Sequence, residues 1–393
     1  MKTILFSIIL VLITTEIHSQ SNQERYWFYR KRLRDYFLKI GDEAGASIPC
    51  SDRNLWESRS VSFGDATIEL GWYIGVLAGE YKLISRSSDN IKNTELTLQE
   101  LYYALKAFQR IDECEGTAPW VLNLDYPHPP IINNPTFDGF FNRSDLEIVK
   151  DTSLFDWQSR NKNLNSSIND KRYTQPGMPY FANIQHFYEQ MSIYDRNEAM
   201  SQDQVAHLYM GLAMVNKCLP DNDIEVKLLD GTTILFNFRD FASDIAFKTL
   251  RYMYNSNYYF SWLQTFWVIR TPFGFPVERG AYAQANAYGF VKAAAYITDG
   301  LSNTMLDCYL SGQTLKNLFK AQAYYTSSPN EYNTTMAMAL AAVGDSWSSL
   351  YGTVSTSFYL KHVGQSLRRH TFFIALNKYL HNNNTIYYSA SEY

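Results

Sequence analysis

Residues 65–84, DATIELGWYIGVLAGEYKLI, are apolar around most of a helical circumference. A helix that is greasy on nearly every side belongs inside a large helical assembly. This segment therefore predicts a body of packed helices with a deep interior. Its glycines, Gly71, Gly75 and Gly79, recur every four residues and fall on one stripe of the helix. Lacking a Cβ, they let another backbone or a ligand come close. Close helix packing is the simpler use of such a stripe.

Helical spacing continues along the chain. It predicts helices over 26–40, 94–110, 183–194, 201–219, 240–254, 280–298, 301–320, 334–343, 346–363 and 365–380. Ser201 stands at the N-cap of its helix, and Thr97-Leu98-Gln99-Glu100 has the pattern of a capping box. One interruption differs in kind. Two β-rich runs flank Asp230-Gly231, a strong hairpin signal, so a small β-hairpin is expected over about 224–238. The expected class is all-α, with about ten to twelve helices in antiparallel-looking succession. No repeat recurs at a fixed period, which argues against a consensus solenoid. Helix number and long connections suit an α/α toroid-like array, whose loops wall a cleft at one end. Region 117–177 is rich in Pro, Asn, Asp and Ser but also carries Phe137, Phe140, Phe141, Phe155 and Trp157. That is too aromatic for disorder, so an ordered loop over the body is expected. Segment 255–280 is a second wall piece.

The N-terminus has a separate logic. Residues 1–19 carry Lys2, an apolar run over 4–13 and a small residue at Ser19, the build of a secretory signal peptide. The run is short of the roughly 20 apolar residues a bilayer span needs. The expected organisation is a signal peptide at 1–19 and one α-helical domain over 20–393, secreted or periplasmic, with no stable membrane span once the signal is removed. The formal net charge of -4 gives no electrostatic footprint for nucleic acid. The short clusters Arg30-Lys31-Arg32 and Arg368-Arg369-His370 read as solvated helix faces. Cys50, Cys114, Cys218 and Cys308 are far apart with no metal-ligand spacing. Buried thiols and up to two disulfides are both open.

The pieces GWYIGVLAGEYKL (71–83), LQELYYALKAFQR (98–110), DGFFNRSD (138–145) and MSQDQVAHLYMGLAMV (200–215) resemble segments of uncharacterised exported bacterial proteins. That resemblance implies export and no particular activity. At the level of helix pattern the chain is also similar to α/α-toroid carbohydrate-active enzymes, the glycoside hydrolases and polysaccharide lyases among them. No glycosidase signature carries over residue by residue.

Four acids stand out as candidate catalytic residues. Asp203 falls at the second position of the helix that Ser201 caps, where a carboxylate is stabilised by the helix N-terminus. Asp65 and Glu69 begin the apolar helix one turn apart, with Trp72 and Tyr73 immediately after. Asp145 closes the loop segment 138–145, which also holds Arg143. Each has a plainer reading: first-turn acids, a cap, and a turn cornered at Asp138-Gly139. Glu278-Arg279-Gly280-Ala281-Tyr282 precedes another helix, and loop-to-helix capping explains it equally well. Trp72, Tyr73, Arg143, Arg279 and Tyr282 are the expected substrate-binding residues, since Tyr and Trp suit sugar rings. Glycoside hydrolysis needs one protonated and one ionised carboxyl, and Asp203 paired with Asp65, Glu69 or Asp145 would supply them. A lyase would instead draw on Tyr73, His186, His207 and Arg143. GxSxG, HExxH and Walker A patterns are absent, as is GxGxxG in a strand-to-helix setting. No cofactor and no metal are expected. The expectation is an exported carbohydrate-active enzyme, a glycoside hydrolase acting on a carbohydrate or small-molecule ligand. The alternative is a non-catalytic secreted protein that binds glycan or protein.

Overall fold

The computed structural model describes residues 22–42, 45–50, 52–53, 61–62, 65–86, 91–112, 139–141, 200–259, 281–298, 339–340, 342–344 and 367–381. The expected signal peptide, the expected helices at 183–194, 301–320 and 346–363, nearly all of 117–177 and most of 255–280 lie outside these residues.

The described chain is mostly helical, with two small antiparallel strand pairs. In chain order the elements are α1 (Asn22–Arg32), a π-helical turn (Leu33–Phe37), β1 (Asp52–Arg53), β2 (Val61–Ser62), α2 (Ala66–Ile84) and α3 (Ile91–Asp112). Then come α4 (Gln202–Cys218), β3 (Ile224–Lys227), β4 (Thr233–Phe236), α5 (Phe238–Tyr259), α6 (Ala281–Ile297) and α7 (Leu367–His381). The all-α class and the position of the hairpin agree with the sequence. The helix expected over 26–40 instead starts at Asn22 and widens into a π turn after Arg32. It stops where Leu38 turns extended at φ -148° and ψ 140°.

The apolar helix forms α2, buried through Leu70, Ile74 and Leu77. Its closest neighbour is α4, and the glycine stripe explains how close. A Cβ on Gly71 would stand 2.5 Å from the His207 carbonyl oxygen and 2.8 Å from the Leu208 nitrogen. A Cβ on Gly211 would run into the Gly71 carbonyl oxygen. The two backbones therefore touch at a Gly71/Gly211 crossing. Further along, Gly75 faces Gly211 and Met214, and Gly79 faces Met214. The contacts advance in the same direction on both helices, so α2 and α4 run parallel with their N-termini at one end. Leu101, Leu105 and Phe108 of α3, Ile245 of α5 and Val291 of α6 extend the same core.

Thr97 does not cap α3, which begins six residues earlier at Ile91. Its hydroxyl donates to Glu80 Oε1 at 2.5 Å instead. The capping-box spelling thus recurs inside a helix, where a neighbouring acid takes the threonine hydroxyl. The hairpin pairs Ile224 with Phe236 and Lys227 with Thr233 around a turn in which Gly231 has φ +88°. Asp230 accepts from the Thr232 amide at 2.9 Å and the Thr232 hydroxyl at 2.7 Å, which lowers its carboxyl pKa. The hairpin lies on α3: Gln99 Nε2 donates to the Lys227 carbonyl at 2.6 Å, and the Leu229 amide donates to the Tyr103 hydroxyl at 3.1 Å.

At 139–141 the expected turn is visible in part. Gly139 takes φ +119° and packs so tightly on the backbone of Lys248 that a Cβ there would clash. Phe140 and Phe141 are buried in the core, against Tyr252 and Phe108 respectively. Cys50 and Cys218 are buried free thiols. No described helix is long and apolar enough to cross a membrane.

Candidate functional site

Because α2 and α4 are parallel, the acids at their starts occupy the same end of the fold. Asp65 sits just before α2, exposed, and its carbonyl accepts the Ile68 amide at 2.9 Å and the Glu69 amide at 3.2 Å. Its side chain makes no capping bond. Glu69 follows one turn later and is half-buried. Burial, and secondarily the negative charge of Asp65, raise the Glu69 carboxyl pKa above its ordinary value.

Asp203 lies in the first turn of α4, as its spacing from Ser201 predicts. The Ser201 amide donates to Gln204 Oε1 at 3.2 Å, one arm of a capping box, and the Ser201 hydroxyl donates to the Asp203 carboxylate. One turn on, His207 Nδ1 lies 2.7 Å from the Asp203 carbonyl oxygen. A carbonyl only accepts, so the proton is on Nδ1, and Nε2 is an acceptor when the ring is neutral. The His207 ring centroid lies 5.7 Å from that of Trp72, and Trp72 lies 5.2 Å from Phe372 of α7. Trp72 is half-buried, whereas Phe372 is 43 % exposed. Carboxylates, an imidazole and aromatic faces thus share one end of the α2/α4 pair. Among the described residues, no group of three or more His, Cys, Asp or Glu side chains is close enough to hold a metal ion.

Tyr73 is placed elsewhere. It is almost wholly buried on another side of α2, and its hydroxyl donates to Glu100 Oε2 at 2.5 Å. Arg143, Asp145, His186 and Arg279 lie outside the described residues. Tyr282 falls in α6, but its side chain is likewise outside them.

The Tyr73 bond leads to a cluster that sequence reasoning missed. Arg30 of α1, expected on a solvated face, is 6 % exposed, while Lys31 and Arg32 are exposed. Arg30 Nε meets Glu80 at 2.9 Å and its Nη2 meets Glu100 at 2.6 Å. Arg34 of the π turn adds Nε on Glu100 at 3.3 Å. Tyr26 donates to Glu80 as well. Burial alone works against the guanidinium charge of Arg30, but Tyr73, Glu100 and Glu80 more than offset it and raise its pKa. Burial, followed by Glu100, pushes the Tyr73 hydroxyl pKa well up, and burial followed by Glu80 raises that of Tyr26. The available signal was Glu80 itself, an acid inside an otherwise greasy helix. A buried charge of that kind needs a cation from a neighbouring element. Beside the cluster is a cavity of about 590 Å³ whose walls come from α1, the π turn, α3 and the hairpin loop.

Compared with known proteins, the chain matches no family model, no curated protein and no solved structure.

Proposed function

We propose that this chain is an exported carbohydrate-active enzyme, a glycoside hydrolase built on an α/α toroid-like helical body. The observation that supports it most is the placement of Asp65 and Glu69 at the start of α2 and of Asp203 at the start of α4, two helices that pack in parallel, with the Glu69 pKa raised by burial and by Asp65. Glycoside hydrolysis divides its work between a carboxyl that is protonated and one that is ionised. Glu69 takes the acid role. Asp203, at a helix N-terminus that favours its negative charge, takes the base or nucleophile role. Trp72 and Phe372 offer ring faces for a sugar. In this proposal Asp145 is a further catalytic candidate, and Arg143, Arg279 and Tyr282, the last at the start of α6, bind substrate. The N-terminal segment 1–19 directs export.

The test is release of reducing sugar from a polysaccharide panel by the wild-type chain, Glu69→Gln and Asp203→Asn. Wild type should release product, and each variant should lose about 10²–10⁴-fold in rate while keeping its unfolding midpoint within a few degrees. Equal rates in all three would remove these residues from the chemistry. Saturable glycan binding with no release by wild type would instead establish a non-catalytic binder. The exposed Phe372 beside Trp72 is the observation that favours that second reading.

The pH dependence has a definite sign. An acid catalyst works only while protonated, so activity should fall as pH rises through the raised pKa of Glu69. Asp65→Asn removes the nearby negative charge. It should therefore move that falling limb to lower pH with little change in the plateau rate. A limb that does not move would separate Asp65 from Glu69. Stability follows the same proton. Between the unfolded and folded pKa values the folded chain binds more protons at Glu69, so its contribution weakens as pH rises through that window.

A further inference from the structure

Helix α1 buries one side only. Tyr26 and Arg30 turn inward to Glu80, and Leu33 packs on the core after them. The other side carries three consecutive aromatic residues. Phe28 is 56 % exposed and Tyr29 61 %, and Trp27 is more than a third exposed. Helical spacing puts Phe28 about 200° from Tyr26, at the crest of the exposed side, with Trp27 and Tyr29 about 100° away on its two flanks. Arg25, Lys31 and Arg32 are also exposed. The same spacing sets all three within about 60° of the crest. Among the described residues Arg25 and Lys31 meet no acid, and Arg32 sits over the Phe37 ring. Glu24 is the one acid of α1 and is already engaged. Exposed Leu96 of α3 and Leu229 of the hairpin adjoin Trp27 around the cavity, but the acids Glu95 and Asp230 are their neighbours in the chain. The cationic part of this surface is therefore α1 itself.

The pattern selects among occupants. A second copy would set like charges against like. A glycan needs rings that share one flat face, whereas Tyr26 and Trp27, and likewise Phe28 and Tyr29, stand edge-on at 76°. A protein groove takes a helix by a stripe at i, i+3, i+4 and i+7, and consecutive rings spread round half the helix offer none. A fluid bilayer interface accepts that spread: Phe enters deepest, Trp and Tyr favour the headgroup level, and Lys and Arg reach anionic headgroups. We propose that α1 docks the protein on an anionic phospholipid surface. The helix lies in the interface with Phe28 inserted, Trp27 and Tyr29 at the headgroups, and Arg25, Lys31 and Arg32 on lipid phosphates. It rests on the bilayer and does not cross it. The inference is independent of the hydrolase reading.

The test is co-sedimentation of the full chain with vesicles of phosphatidylcholine, alone or with one-third phosphatidylglycerol. An apolar run such as 4–13 partitions into both alike, so the preference between them is the readout. Wild type should prefer the anionic vesicles at least tenfold, and high salt should abolish the preference. Arg25→Gln/Lys31→Gln/Arg32→Gln should lose it while keeping the unfolding midpoint, since all three residues are exposed. Phe28→Ser should weaken binding to the anionic vesicles several-fold. No preference in wild type, or one that survives the triple variant, would overturn the proposal. Undiminished binding by Phe28→Ser would overturn the inserted ring. Binding of polyglutamate without binding of vesicles would overturn the membrane and make the face a site for an acidic protein.

Discussion

Gly211→Ala should destabilise the protein by about 3 kcal/mol or more, and Gly71→Ala by a similar amount. Overpacking a core usually costs about 1–3 kcal/mol because neighbouring side chains can shift. Here the obstacles are main-chain atoms: the Gly71 carbonyl in one case, and the His207 carbonyl and Leu208 amide in the other. Rotamer changes cannot clear them, so the two helices must separate along a shared buried face. Gly75→Ala belongs to the same stripe and should behave oppositely. Its Cβ would meet Gly211 Cα at 3.6 Å and Met214 Cγ at 3.8 Å, ordinary contact distances. Alanine also favours a helix interior over glycine by roughly 0.5–1 kcal/mol. Gly75→Ala should therefore be neutral or slightly stabilising. Chemical denaturation of the three variants checks the difference in sign. A similar loss at all three positions would mean that the whole glycine stripe, rather than the Gly71/Gly211 crossing alone, is packed too closely to take a Cβ.

Arg30→Ala should cost about 3–5 kcal/mol, because it leaves Glu80 and Glu100 buried without their shared cation. The loss should persist at high salt, since buried pairs are screened far less than surface ones. Replacing the cluster as a whole should behave differently. Arg30→Met with Glu80→Leu and Glu100→Leu removes the three buried charges, leaves the part-exposed Arg34 to solvent and keeps apolar volume; such replacements are often neutral or stabilising, less here the cost of the Tyr73 and Thr97 hydroxyls that lose their acceptors. A triple variant close to wild type beside a crippled single variant would show that the network depends on completeness more than on net attraction. Near-native stability for Arg30→Ala would mean that Arg30 does not reach Glu80 and Glu100 in solution.

Local structure was largely readable from the chain. The apolar run at 65–84 gives α2 within a residue of its observed bounds, Ser201 caps α4, and Asp230-Gly231 turns the hairpin. These depend on periodicity and backbone chemistry that neighbours do not override. The glycine stripe pointed to a close approach but not to its partner, since Gly211 lies far off in sequence and completes the crossing only once α4 is seated. Arg30-Lys31-Arg32 shows the opposite limit. Successive helical residues point about 100° apart, so a run of three cations names no inward-facing member. Only the neighbouring acids select Arg30. The grouping of Asp65, Glu69 and Asp203 was open for a related reason: caps and spacing locate helix starts, whereas tertiary packing decides whether two starts share an end.

Titration of the Glu69 carboxyl, followed by NMR on carboxyl-labelled chain and assigned by loss of its signal in Glu69→Gln, decides whether Glu69 can serve as the acid. The carboxyl should titrate above the ordinary glutamate range and fall back toward it in Asp65→Asn. A Glu69 that titrates as in a solvated peptide, unchanged by Asp65→Asn, would contradict the acid role and the proposed chemistry at this end of the α2/α4 pair.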